Sequence, residues 1–350
     1  MQSAAKVKPR VPDGLEYPHA CPPLPGELTE VASGVFWLRM PLPFALEHIN
    51  LWLLADLDGW TIVDCGFGTD ETRALWRKIF TASLDGKPVT RIVVTHFHPD
   101  HFGLAAWLAD HWRAPVHMTG PEFAAAKAWF AEHELHRRDA HVTLFRLHGL
   151  NISDEQPVPR QNLFKRGVPA LPDAVVELQD GQHLTVNGRA WRVVTGYGHS
   201  PEHAALHCAD LGVLIAGDMV LPRISTNVSV QAAAPDADPL GCFLDSLTRY
   251  AELDVQTLVL PSHGLPFRGL RERLAALGQH HKDRLEELLE ACAQPQTGAQ
   301  IMPVMFKREL DAHQTMFAMG ETLSHLNYLH QRGRLARQCG ADGIYRYVRK

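Results

Sequence analysis

Residues 91–103 read RIVVTHFHPDHFG. Arg91 to Thr95 has the β-branched apolar run of a buried strand, and it ends directly on Thr95-His96-Phe97-His98-Pro99-Asp100-His101-Phe102-Gly103. In extended backbone alternate side chains share a face, so His96 and His98 can grip one metal together. Pro99 keeps His98 out of the helical region, and the chain then turns into a helix near Gly103, which aims Asp100 and His101 at a neighbouring point. Two metal positions are expected. Imidazole and carboxylate suit zinc, iron or manganese, and a hydroxide between two such ions is a strong nucleophile near neutral pH, because each cation lowers the pKa of bound water. A strand-to-loop junction is also where α/β folds place ligands.

Working outward, three apolar runs between Val35 and Cys65 (VFWLRM, INLWLLAD, WTIVDC) predict a meander of strands. Helical spacing follows from Thr69 to Phe80, with Thr69 or Asp70 as N-cap. Downstream of the histidine cluster the pattern predicts a helix over 104–112, a strand over 115–118, a helix from Pro121 to about His136, and another around Val142 to Gly149. The stretch from about 120 to 173 reads as an insertion or lid beside a site. Strand patterns resume at 174–178, 183–186, 190–195, 204–208 and 213–216, then a helix (239–253), the strand TLVLP (257–261) and a long helix (270–292). Gln294 to Gly298 is a boundary. Beyond it, helices over 300–310 and 314–331 and two strands around Asp342-Gly343 give a helix–helix–hairpin order, that of a winged-helix module over 297–350.

Composition narrows the possibilities. With 45% apolar and 21% charged residues the chain is an ordinary globular protein, and no apolar run reaches the roughly 20 residues of a membrane span. Residues 1–27 read as an arm without an apolar signal core, so a cytoplasmic location is expected. The six cysteines form no CxxC pair and are read as reduced thiols. A net charge of −5 gives no general attraction to nucleic acid, whereas 21 histidines bring metal binding to the front.

HxHxDH after a strand resembles the signature of the metallo-β-lactamase superfamily. Three later segments resemble that family's remaining motifs in order: Gly198-His199-Ser200-Pro201-Glu202-His203, Ala216-Gly217-Asp218 and Pro261-Ser262-His263-Gly264. The resemblance spans about residues 28 to 294. It implies an α/β fold, an αββα sandwich of two mixed sheets with helices outside, and a small C-terminal winged-helix domain. It nominates His199 as third ligand of the first metal, Asp218 as the carboxylate bridging both, and His263 for the second, beside His96, His98, Asp100 and His101. His203 is read as supporting the ligands. The implied cofactor is two divalent ions, zinc before iron or manganese.

The motifs are closest to glyoxalase II-like thioester hydrolases, although no glutathione-binding tail is recognisable. The expected reaction is hydrolysis of an ester, thioester, lactone or amide of a small molecule, with Asp100 orienting the nucleophile. An iron persulfide dioxygenase is a further relative. Expected substrate contacts are Tyr197, through an oxyanion, together with Arg223, Ser225, Thr226 and Asn227, and Arg137, Arg138, His141 and His148 of the insertion. The competing reading is a metallo-endoribonuclease or nucleic-acid-binding protein. Residues 297–350 carry eight Lys/Arg against four acids, a net +4 that leaves −9 for the remainder. Yet the would-be recognition helix, HQTMFAMGETLSHLNYLHQR, is dominated by Met, Phe, Leu and Tyr, which favours a packing or homodimer-forming role over DNA readout.

Overall fold

The computed structural model describes residues 14–44, 46–131, 134–151 and 163–350, and of 134–138, 163 and 313 the backbone alone. A meander opens the first sheet: β1 (Thr29–Ala32), β2 (Val35–Pro41), β3 (His48–Ala55) and β4 (Trp60–Val63) pair antiparallel in chain order. β5 (Val89–Val93), β6 (Val116–Thr119) and β7 (Val176–Leu178) then add in parallel to complete seven strands. Parallel pairing needs long crossovers. These carry α1 (Asp70–Ala82), then α2 (Pro99–Phe102) and α3 (Ala105–Trp112), then α4 (Gly120–Ala131), α5 (Glu134–Leu147) and α6 (Leu163–Gly167).

In the second sheet β8 (His183–Val186), β9 (Arg189–Gly196), β10 (His203–Cys208) and β11 (Val213–Gly217) are successively antiparallel. After α7 (Pro239–Tyr250), β12 (Leu258–Pro261) joins β11 in parallel. Then come α8 (Leu270–Ala291), α9 (Gly298–Met305), α10 (Ala312–Gln331) and the hairpin β13 (Leu335–Cys339) with β14 (Tyr345–Arg349).

Three apolar cores make this an αββα sandwich. β3 shows why its sequence is apolar almost throughout: Trp52 and Leu54 face the core between the sheets, while Ile49, Leu51 and Leu53 face the layer of α1 and α3. β11 divides likewise, with Val213 and Ile215 inward and Leu214 and Ala216 toward α7 and α8. Met319, Leu323, Leu326 and Leu329 of α10, with Leu335 and Tyr347 of the hairpin, belong to that same outer core. Residues 297–350 therefore share a core with the flanking helices of the second sheet. Gly320 lies mid-helix, where alanine would be better by about 1 kcal/mol.

The structure differs from the sequence reading in several places. β1, four residues long, was not expected. α9 starts at Gly298, with Thr297 and Gln300 forming a capping box, and stops at Met305 instead of Leu310. The reason lies ahead of it: Asp311 caps α10 from extended backbone, so the chain must leave helical conformation first. Of the expected arm, residues 1–13 fall outside the described residues, and Glu16 pairs with Arg268. Among the described residues, no helix is long and apolar enough to cross a membrane.

Candidate metal centre

β5 delivers its histidines to one end of the sandwich. His98 has the φ −59, ψ 146 backbone that a following proline imposes, and Pro99 then opens α2, whose first turn carries Asp100 and His101. Gly103 allows the turn to close, since a Cβ there would fall 2.3 Å from the carbonyl of Gly167 and 2.5 Å from that of Gly66. His199 follows β9, Asp218 follows β11 and His263 follows β12, so all seven expected donors meet at the carboxyl ends of strands.

They form two groups. His96 Nε2 lies 2.9 Å from His98 Nδ1 and 3.2 Å from His199 Nε2, which is 3.4 Å from Asp218 Oδ2. Asp218 Oδ1 lies 3.5 Å from both His101 Nε2 and His263 Nε2, and Asp100 Oδ2 is 3.4 Å from His263 Nε2 and 3.7 Å from His101 Nε2. A tetrahedron of ligands about 2.0–2.1 Å from a cation has edges of about 3.3–3.4 Å, close to these separations.

The supporting hydrogen bonds set the tautomers. His199 Nδ1 donates to the carbonyl of Asn227 (2.8 Å) and His263 Nδ1 to that of His48 (2.9 Å). His101 Nδ1 donates to Asp64 Oδ2 (2.7 Å). Thr95 Oγ1 also donates to Asp64, which leaves His96 Nδ1 to donate to Thr95 Oγ1. The Nε2 atoms of His96 and His199 therefore face each other as lone pairs, while His101 Nε2 and Asp218 Oδ1 are buried without a hydrogen-bond partner among the described residues. Lone pairs and carboxylates crowded into a buried space call for positive charge, and the residues present fit divalent cations.

Electrostatics agree. Burial and the neighbouring His199 push His98 down to about 3, and burial among other histidines holds His96 well below its ordinary value. Both stay neutral and able to ligate. Against a burial penalty, His263 and His101 keep the Asp218 carboxyl well below the usual range, while Asp100, Asp64 and Asp218 raise His101. The carboxylates thus favour positive charge at this end of the cluster.

Several residues of the centre were missed from sequence. Asp64, at the end of the run WTIVDC, is buried and holds a left-handed φ of 63°, a strained conformation for a non-glycine residue. Its carboxylate also accepts from the Thr95 main-chain N–H (2.8 Å). Glu122, fully buried in α4, accepts from the N–H of Phe97 (3.0 Å), the hydroxyl of Ser200 (2.6 Å) and the N–H of Glu202 (2.7 Å), joining the two histidine loops. Asn50 pins the His263 loop by donating to the carbonyls of Pro261 and Gly264, both at 2.8 Å. A carboxylate closing an apolar run was the available signal for Asp64.

His203 is buried beside the donors, and its Nε2 accepts from the Asp218 N–H (3.2 Å). Gly217 permits that approach: at φ 53°, a Cβ would fall 2.1 Å from the ring. The expected substrate contacts fare unevenly. Asn227 adjoins the cluster through its carbonyl, and Thr226 donates its hydroxyl to the carbonyl of Asp218. The Tyr197 hydroxyl, expected at an oxyanion, instead donates to Glu202 Oε1 (3.0 Å) and lies 3.3 Å from Thr195 Oγ1. His148 is a correction: it is buried and stacked on Tyr347, whose hydroxyl is 3.2 Å from its Nδ1, because α5 ends against the hairpin and not at the centre. Arg223 is exposed over the ring of Tyr17, 5.8 Å from its centre. Ser225 makes no hydrogen bond with the donors among the described residues, and His141 meets Gln231 (3.3 Å). The side chains of Arg137 and Arg138 lie outside the described residues.

Comparison with known proteins follows the geometry. A beta-lactamase domain protein from Burkholderia ambifaria, known from its crystal structure, is 50% identical and superposes with a TM-score of 0.88 over 96% of this chain and 97% of its own. A Bacillus subtilis protein described as a probable metallo-hydrolase, YqjP, is 24% identical over 84% of this chain and 92% of its own. The bovine acyl-coenzyme A thioesterase MBLAC2 is 24% identical over 54% of this chain and 64% of its own. A family model of the metallo-beta-lactamase-like C-terminal domain matches residues 285–350. The metallo-beta-lactamase superfamily model runs from residue 46 to residue 263, more than half of the chain, so that it spans all seven donors and stops on the last of them. The chain belongs to the metallo-β-lactamase superfamily, and it is a metal-dependent hydrolase.

Proposed function

We propose that the chain hydrolyses a carbonyl ester, thioester or lactone of a small molecule at a centre of two divalent cations. One would be held by His96, His98, His199 and Asp218, the other by Asp100, His101, His263 and Asp218. The observation that carries this reading is the division of Asp218, with Oδ2 turned to one donor group and Oδ1 to the other. Neutral imidazoles and carboxylates suit zinc, and iron or manganese are compatible.

Bound there, the cations would supply Lewis acidity and a water acidic enough to lose its proton near neutral pH. The chain's own groups do the remaining work. Asp100 has a side chain 19% exposed against 11% for Asp218, so it is the more open carboxylate and the one placed to orient an incoming water and accept its proton. As water oxygen bonds to the carbonyl carbon, the bond to the leaving alcohol or thiol breaks, and the proton held on Asp100 passes to the departing group.

The name of the bovine relative supports an acyl thioester. The burial of α10 supports a small molecule over nucleic acid, since the helix that would lie in a groove has Met319, Leu323, Leu326 and Leu329 in the core. Metal analysis of the purified chain beside Asp218→Ala, with a screen of thioesters, lactones, β-lactams and single-stranded RNA, tests the reading. Two ions per chain and acyl turnover, both lost in the variant, are expected. One iron per chain with oxygen uptake on persulfides would replace the proposal with a dioxygenase, and RNA cleavage would replace it with a nuclease.

A further inference from the structure

The carbonyl that orients the His199 ring belongs to residue 227, within the stretch 221–238 that carries no helix or strand. That stretch is fastened from the other side by α10. Asn227 Nδ2 donates to Glu321 Oε2 (3.2 Å), the Val230 N–H to the carbonyl of Gly320 (3.1 Å), and Asn327 Nδ2 to the carbonyls of Pro235 and Ala237 (2.9 Å each). Ser229 Oγ donates to Asn227 Oδ1 (2.8 Å), which fixes the amide with its nitrogen toward Glu321. The mid-helix glycine is explained by the same contact: a Cβ on Gly320 would fall 2.9 Å from Cβ and 3.0 Å from Oγ of Ser229, so only a bare backbone lets the loop lie on the helix. Among the described residues the Glu321 carboxylate accepts no other hydrogen bond, and burial pushes it up to about 7.

An imidazole ligand turns about its own bond unless its second nitrogen is held, and the group that holds it sets how well the ring binds metal. We propose that α10 is a positioning element of the hydrolytic centre: through Glu321 and Asn227 it fixes the carbonyl that orients His199, and so sets the cation affinity of the His96, His98 and His199 group. The inference rests on the reading that this group holds a cation. Glu321 is a positioning residue, since among the described residues its carboxylate bonds to Asn227 and to none of the seven donors.

The test uses the full chain and two readouts, competition for Zn²⁺ against a chromophoric chelator and the visible spectrum of the Co²⁺-loaded protein. Glu321→Ala and Asn227→Ala are each expected to weaken one of two Zn²⁺ positions by about tenfold and to alter the Co²⁺ absorption, with no further loss in the double variant. Glu321→Gln, which still offers a carbonyl oxygen to Asn227, should restore both readouts. Wild-type affinity in Glu321→Ala and Asn227→Ala, losses that add in the double variant, or failure of glutamine to rescue would each overturn the proposal. His199→Ala separates the two levels: if it too binds two Zn²⁺ ions like the wild type, the reading of the centre itself is wrong and the inference falls with it. Should Glu321→Ala not fold, Asn227→Ala carries the same expectation from the other end of the bond.

Discussion

On one side of Asp218, His96 and His199 are steadied by neutral groups, the Thr95 hydroxyl and the Asn227 carbonyl. On the other side, His101 leans on the Asp64 carboxylate, and Asp100 is itself one of the donors. The same count of donors is thus built in two ways, one from histidine lone pairs and one from surplus negative charge. The first group should discriminate by the softness and geometry of the ion, and the second should bind whatever brings enough charge.

The largest effect will come from removing what the groups share. Asp218→Ala should lose both ions and lower turnover by more than roughly 10³-fold, as metal analysis and single-substrate kinetics would show. If it kept one tightly bound ion, the two groups would not depend on a common carboxylate. Next, Asp64→Asn keeps a residue type that tolerates left-handed backbone but removes the charge behind His101. Its expected result is a loss of about 10–100-fold in affinity at the second position and a smaller loss at the first, which Asp64 reaches only through Thr95, seen as unequal weakening of the two steps of a Co²⁺ titration. Equal weakening of both steps would erase the distinction drawn above.

Glu122→Gln acts on the first group. One amide oxygen cannot serve three donors, so the variant leaves buried donors unpaired and should cost about 1–3 kcal/mol in chemical denaturation. Its effect on ion binding should fall on the histidine-rich position, because Phe97 and Ser200 flank His96, His98 and His199. The smallest effect concerns Glu321. The folded chain keeps a proton there up to about pH 7, whereas the unfolded chain loses it near its ordinary value of 4.5. Stability is therefore given up as pH rises through that window. Glu321→Gln should melt above the wild type at pH 8 and together with it near pH 4; a melting difference independent of pH would break the argument.

What the sequence disclosed follows the density of its signals. HFHPDH concentrates four donors at a strand end, and the later histidines and Asp218 each follow an apolar run, so periodicity and residue type suffice to mark them. Asp64, Glu122 and Glu321 carry no such mark. Their partners lie 37 residues away at His101, 78 at Ser200 and 94 at Asn227, and an isolated acid in a chain with 39 of them becomes meaningful only when the fold brings its partner near. His148 shows the reverse error. It stands in the insertion, close to the expected cleft in sequence, but the end of α5 turns it into the hairpin. The apolar composition of α10 was read as a packing surface, and the fold supplies what it packs against.

The bond from Asn227 to Glu321 also orders events during synthesis. Ribosomes add about 5–20 residues per second, so the 94 residues between these two take roughly five to twenty seconds to make. Once His263 has been added, the nascent chain contains every histidine and aspartate of the centre, but the loop carrying the Asn227 carbonyl still lacks α10 to rest on. On the role proposed for α10, tight capture of an ion at His199 would wait until α10 has emerged and docked, which would leave the half-made chain a poor trap for whatever metal is most abundant around it.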